Sequence, residues 1–301
     1  MPTHPLAALQ AACTIRGIDC AGAQLIHHSS NAVYVLPRPG AVARVSTKEA
    51  SGHQAIRSSK VTRWLSEIHQ FGATAPLPGV EPVQLDESTA VGFWVYYPQP
   101  AGEMAPNSRE LGTLLRTLHA LPDSPPIELG TWTPLESLYA TLLDDDTASA
   151  LDDPEHSWLL DRIAEIRHEI TDLEWALEPG LIHGDAWAGN LLWDITTNPA
   201  RAILGDWDWV CVGPREVDLI PTWHASVRYG RDRDWVENFI TAYGFDLATW
   251  PGYDTLMDMR DLVQVSGPLR RASTSAVHAA RLHQRVTDIR ARNRTTRWTS
   301  Y

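Results

Sequence analysis

Residues 181–194 read LIHGDAWAGNLLWD, and residues 203–219 read ILGDWDWVCVGPREVDL. The fold of the chain is decided in this stretch. Leu181-Ile182 is a short apolar strand, and His183, Gly184 and Asp185 form the polar loop after it. Asn190 stands five positions beyond Asp185 and opens the apolar run Leu191-Leu192-Trp193. The cluster Thr196-Thr197-Asn198-Pro199 reads as a reversing turn. The strand Ala202-Ile203-Leu204 then delivers Asp206. The layout predicts a small sheet with Asp185, Asn190 and Asp206 at one end.

That trio has a chemical reading. Phosphoryl transfer asks for magnesium on the phosphates and for a group that orients and deprotonates the attacking hydroxyl. Asp185 is placed to be the base. Asn190 offers an amide oxygen and Asp206 a carboxylate, hard donors suited to Mg²⁺. Protein kinases use the same parts: a catalytic-loop Asp, an Asn five positions later and the Asp of a following turn.

The spacing HGDxxxxN, an apolar hairpin, GDWD and then GPREVDL together resemble the aminoglycoside phosphotransferase family, which includes choline, homoserine and other small-molecule kinases. The resemblance implies an α+β, protein-kinase-like, two-lobed fold. A small β-rich nucleotide-binding lobe is expected over residues 1–98. A larger, mainly helical catalytic and substrate-binding lobe is expected over 99–301, with the boundary near Pro98 to Gly102. The implied reaction moves the γ-phosphoryl group of ATP or GTP, with Mg²⁺, to a hydroxyl of a small molecule. A cationic acceptor such as an aminoglycoside or amino sugar is the first choice. A choline-like or amino-alcohol acceptor is the alternative, and a nucleotide-binding pseudokinase is the reading from another class.

Further residues take roles from the same resemblance. His183 is expected to bond backbone near the metal turn, and Asp218 to brace the catalytic loop from the next helix. Ser29, Ser30 and Asn31 match a polar hairpin tip that covers the nucleotide phosphates. The lysine expected on the third strand is Arg44 here, and its acidic partner's position falls near Ser58. Arginine grips phosphate with a two-pronged fork rather than a point charge. Arg44 is therefore expected to bind phosphate directly or to find another carboxylate. The nucleotide base is expected at the hinge near Tyr97 and Gln99, Pro98 having no N–H to offer. Asp208 stands open between a substrate role in the cleft and a structural one.

Composition narrows the partners. Hydrophobic residues make up 44% of 301, enough for a full core. The formal net charge is −12. Residues 260–301 hold nine arginines against Asp261 and Asp288, a net of +7, so residues 1–259 carry −19. An acidic body argues against nucleic acid as partner and favours a cationic substrate. Asp254, Asp258 and Asp261, spaced by four and three, share a helix face that is a candidate for substrate ammonium groups. Three cysteines without metal spacing fit a reduced, cytoplasmic protein. No apolar run of membrane-spanning length occurs, and the amino terminus lacks a signal-peptide pattern.

Before the central stretch, the pattern predicts a helix over Pro5–Arg16, then strands Ala23–His28, Val33–Leu36 and Val42–Val45. A helix with the stripe Val61, Trp64, Leu65 and Ile68 follows, then a hairpin of Val80–Leu85 with Ala90–Tyr97. Asn107 and Glu110 have the spacing of a capping box ahead of a helix expected to bury Leu111, Leu114, Leu115 and Leu118. Trp132–Leu143 reads as helical, and Gly230 and Gly244 read as helix stops.

Overall fold

A computed structural model describes residues 4–28, 31–47, 51–100 and 105–299. Ser29 and Ser30 of the expected hairpin tip, and Ala101 and Gly102 of the expected boundary, lie outside the described residues.

Helix α1 (Pro5–Arg16) takes proline in its first turn and stops at Gly17, whose φ of 66° suits a residue without a Cβ. Three antiparallel strands follow: β1 (Gln24–His28), β2 (Asn31–Leu36) and β3 (Ala41–Thr47). Helix α2 (Ser51–Glu67) leads to β4 (Val83–Gln84) and β5 (Thr89–Val95), and the sheet order is β1-β2-β3-β5-β4. Alternation along β3 decides where its side chains go. Ala41, Ala43 and Val45 enter a core with Leu9, Leu36 and Phe93, while Arg44 stands on the other face. Val45, Leu9, Leu36 and Phe93 contribute about 1.5–3 kcal/mol each, and the alanine methyls less.

Helix α3 (Ser108–His119) starts on the expected capping box: Asn107 N donates to Glu110 Oε2 at 2.8 Å, and Asn107 Oδ1 accepts from Arg109 N at 2.9 Å. Then come α4 (Glu136–Leu142), α5 (Asp145–Ala148) and α6 (Asp153–Thr171), the last capped by Asp152. Strand β6 (Gly180–Ile182) runs into the loop of Asp185, and β7 (Leu191–Asp194) and β8 (Arg201–Leu204) form the expected hairpin. Strand β9 (Cys211–Gly213) returns to pair with β6. Helices α7 (Glu216–Tyr229), α8 (Arg233–Tyr243), α9 (Tyr253–Val263), α10 (Ser266–Ala272) and α11 (Ala276–Arg290) complete the chain. Gly230 and Gly244 end α7 and α8 in left-handed conformations, as expected.

By packing, the chain forms two compact units. One is Met1–Gly130 with Ala188–Val210, and the other is Thr131–Trp187 with Cys211–Tyr301. The β7–β8 hairpin thus belongs with the β-rich unit, and the β6–β9 pair with the helical one. The core of the helical unit is built by α6, α7 and α9, with Ile163, Ile166, Leu219, Leu256 and Leu262 all at 1% exposure or less. Among the described residues, no helix is long and apolar enough to cross a membrane.

Three expected elements are shorter than their sequence patterns. The stripe on α2 stops at Leu65, and Ile68 is 67% exposed. The helix ends at Glu67, and Phe71 takes the buried place with its N–H on Leu65 O at 2.9 Å. The strand expected over Val80–Leu85 shrinks to two residues, because Pro82 has no N–H to give a ladder. The helix expected from Trp132 starts only at Glu136. Trp132 instead extends its backbone N–H to Val212 O at 2.8 Å.

Candidate functional site

In the helical unit, β6 ends at Ile182 and the chain turns sharply. His183 N and Gly184 N donate to the two oxygens of Asp218 at 2.7 and 2.8 Å. Asp218 is fully buried in the first turn of α7, where a helix N-terminus favours negative charge. Gly184 has a φ of 83°, so this position admits glycine and rejects a side chain. His183 is fully buried, and its Nδ1 accepts a long 3.4 Å contact from Asp185 N. Asp185 itself keeps a side chain one-third exposed, at 33%. Its Oδ1 accepts a 2.9 Å bond from Nη1 of Arg260, a residue of α9 that sequence reasoning counted only as charge. Arg260 is 12% exposed at its side chain, and its Nε is buried without a hydrogen-bond partner among the described residues. The one sequence hint was a lone arginine within an otherwise acidic helix.

In the β-rich unit, Asn190 closes a short 3-10 turn and Asp206 follows β8. Leu191 pairs with Leu204, and Gly205 N donates to Asn190 O at 2.8 Å. The hairpin register therefore brings Asn190 and Asp206 to one end of the β7–β8 pair; Asp185 follows β6, which pairs with β9 in a separate sheet, so the single sheet expected for all three residues is two. Asp206 sits at φ 61°, ψ 56°, a left-handed conformation that aspartate tolerates better than most residues. Trp207 anchors the turn, with 2% exposure and its indole N–H on Leu204 O at 2.8 Å.

Arg44 reaches this turn. Its Nη1 donates to Asp206 Oδ1 at 2.8 Å and to Asp208 Oδ1 at 3.1 Å, and its Nη2 donates to Asp208 Oδ2. Burial works against the Arg44 charge, but Asp206 and Asp208 outweigh it and hold the guanidinium above its ordinary pKa. Burial also pushes the Asp208 carboxyl up; the Asp206 charge adds to this and Arg44 opposes it. Ser58 is 2% exposed, and its hydroxyl donates to Trp207 O at 3.1 Å. So the position expected to hold an acid instead buttresses the turn, and Arg44 finds its carboxylates there.

The donor set at the hairpin end fits Mg²⁺. It presents one carboxylate and one amide oxygen, and Mg²⁺ usually takes one or two carboxylates and completes its shell with phosphates and water. Arg44 engages Oδ1 of Asp206. Among the described residues, no cluster of three or more His, Cys, Asp or Glu side chains could hold a metal by itself.

The remaining candidates are placed as follows. Asn31 begins β2 opposite Ser46. The Tyr97 hydroxyl accepts from Ala75 N at 3.3 Å. The Gln99 side chain grips both backbone groups of Trp193, at 2.9 and 3.2 Å, and donates to Tyr97 O at 2.9 Å. The three acids of α9 do not form one open surface. Asp254 and Asp258 both hold Arg294 at 2.6 Å, and Asp258 also holds Arg162 at 2.8 Å. Asp261 is 3% exposed at its side chain and takes a fork from Arg228, plus His224 Nε2 at 3.0 Å. Their shared face turns inward at Asp261, where α7 packs on α9. Burial drops His224 to a pKa of about 4 despite Asp261.

Solved structures share this architecture. The GDP and kanamycin complex of APH(2")-IIia aligns with a TM-score of 0.65 at 13% identity, over 95% of this chain and 99% of its own. A microcompartment-associated aminopropanol kinase gives 0.66 at 18% identity, over 93% and 94%. A choline/ethanolamine kinase family protein from Mesorhizobium loti gives 0.57 at 18% identity, over 94% and 93%. Such identities speak for the fold, which is protein-kinase-like, with a small antiparallel-sheet lobe and a helical lobe. No curated protein matches the chain. A comparison with known families matches residues 23–256, well over half of the chain, to the family described as "Phosphotransferase enzyme family". The chain belongs to this APH phosphotransferase family.

Proposed function

We propose that this protein transfers the γ-phosphoryl group of a nucleoside triphosphate, ATP or GTP, to a hydroxyl of a small molecule, with Asp185 as general base. The observation that carries this reading is the built loop around Asp185. Two backbone N–H groups locked on buried Asp218, and a glycine at φ 83°, hold a partly exposed carboxylate in place. A purely structural aspartate needs no such frame. Asp185 accepts the acceptor's proton as its oxygen attacks phosphorus, while His183 stays buried as part of the frame. Asn190 and Asp206 would hold Mg²⁺, and the ion would supply charge neutralisation on the transferring phosphates. Asn31, Arg44, Tyr97 and Gln99 belong to the nucleotide side of the reaction. A neighbour solved with GDP supports nucleotide use.

Within this reading, the acceptor is a small amino alcohol rather than a polyamine. Asp254, Asp258 and Asp261 are each already paired with arginine, so α9 has little negative charge left for several ammonium groups. Aminopropanol and choline/ethanolamine kinases stand among the similar structures, as do aminoglycoside phosphotransferases, so the choice rests on the α9 pairs.

The test is a transfer assay with γ-labelled ATP and GTP against amino alcohols, amino sugars and aminoglycosides, all with Mg²⁺. Label should move to an amino alcohol and not merely to water. A protein that binds nucleotide yet moves no label to any hydroxyl would support the pseudokinase instead.

A further inference from the structure

The two carboxylates on Arg44 are not equivalent. Asp208 takes the guanidinium with both oxygens, and Asp206 takes one bond from Nη1. The Asp208 side chain is 15% exposed, against 46% for Asp206. Asp208 is also fixed from behind by α2. Arg57 Nη2 and Gln54 Nε2 donate to its backbone oxygen at 2.8 and 3.2 Å, and the Ser58 hydroxyl lies 3.4 Å from its Oδ1. A two-pronged bond to a buried, buttressed carboxylate is stronger than a single bond to an open one. Solvent and an arriving ligand reach the Asp206 bond first.

We propose that Asp208 is the permanent counter-ion that positions Arg44, while the Arg44–Asp206 bond is exchanged when nucleotide and Mg²⁺ bind. Asp206 then turns to the metal, and the freed Nη1 of Arg44 turns to a phosphate oxygen. This inference rests on the nucleotide-dependent reading above. It gives the turn 206–208 two jobs two residues apart: Asp206 serves the metal, and Asp208 serves the phosphate grip. Without Asp208, the Arg44–Asp206 bond remains and competes with the metal for Asp206.

The experiment measures equilibrium binding of non-hydrolysable ATP and GTP analogues to the full chain, with and without Mg²⁺ and with no acceptor present. Asp208→Asn should weaken binding about tenfold or more under both conditions, the scale of a lost charge-assisted bond. Asp206→Asn should weaken only the Mg²⁺-dependent part and leave Mg²⁺-free binding unchanged or tighter. In an Arg44→Ala background, Asp208→Asn should cost nothing further, because Asp208 acts through Arg44. Should Asp208→Asn fail to fold, Arg44→Lys decides. Lysine cannot take both Asp208 oxygens, so Mg²⁺-free affinity should fall as well. Wild-type affinity in Asp208→Asn, or in Arg44→Lys, overturns the proposal, as does a double variant whose losses add. Wild-type protein that binds neither analogue overturns the phosphotransfer reading along with it.

Discussion

The turn that carries Asp185 and the turn that carries Asp206 are held by different means. The first is held through its backbone: Asp218, on α7, accepts from His183 N and Gly184 N, and its charge is satisfied by peptide groups. The second adds an ion pair: the side chains of Asp206 and Asp208 take Arg44 from β3, while α2 ties the backbone carbonyls of residues 207 and 208. A backbone-held turn keeps one geometry whatever binds. A turn held by an ion pair can trade a partner, and half of its pair lies open to solvent. Rigidity therefore sits where the base is proposed, and exchangeability where the phosphates and metal are expected.

The largest effect should come from breaking the first turn. Asp218→Ala leaves two donors without partners in a buried setting, at about 1–3 kcal/mol each. Denaturant unfolding should show a loss of several kcal/mol, and Asp218→Asn a smaller one. A loss no greater than that of a surface substitution would show that the loop does not depend on its brace.

Next in size is the pH dependence of the helical unit, which contains its own buried charge group. His224 faces Asp261, Arg228 and Arg260, with Tyr229 and Trp298 packed edge-on against its ring. Its folded-state pKa of about 4 lies below the unfolded value near 6.5. Above the unfolded value both states are neutral and nothing is lost. As pH falls from about 6.5 to about 4, the unfolded chain takes up a proton that the folded chain refuses, and stability declines by about 3 kcal/mol. Asp261 is held below its usual value: burial opposes this, but bonds from Arg228 and His224 prevail, so its own contribution persists through that window. His224→Gln should flatten the decline between pH 6.5 and 4 in thermal or denaturant unfolding.

Arg260→Ala tests whether the base's neighbour matters to chemistry or only to packing. It removes a single charge-assisted bond to Asp185. We expect kcat to fall about tenfold while the nucleotide Kd is unchanged. A change in Kd with kcat intact would move Arg260 out of the reaction. The smallest effect belongs to Ser58→Ala at the second turn, about 1 kcal/mol from a lost neutral hydrogen bond. A loss as large as that of Asp218→Ala would erase the contrast between the two turns.

The contrast also explains what the sequence showed and what it hid. The first turn and its brace lie within one contiguous motif, so His183, Gly184, Asp185 and Asp218 are legible together. The β7–β8 hairpin is legible for the same reason: strand, turn and strand are local, and register places Asn190 beside Gly205. The second turn's holders come from positions 44, 54, 57 and 58, on two elements far away in sequence. Arg44 was visible as a departure from the expected lysine, but its partner was not, because no local rule ties a strand arginine to a turn 162 residues on. The arginine partners of the α9 acids were hidden for a related reason. Their four-and-three spacing is real, but their counter-ions Arg162, Arg228 and Arg294 come from other segments. Carboxylate spacing names a helix face, and only packing tells whether that face meets solvent or an arginine.

The central claim, that Asp185 is the base of a phosphoryl transfer, is tested most directly by measuring turnover and nucleotide affinity side by side in wild type and Asp185→Ala. With an amino alcohol that accepts label, turnover should fall by about 10²–10⁴ while the Kd for nucleotide stays at the wild-type value. Wild-type turnover in Asp185→Ala would contradict the account.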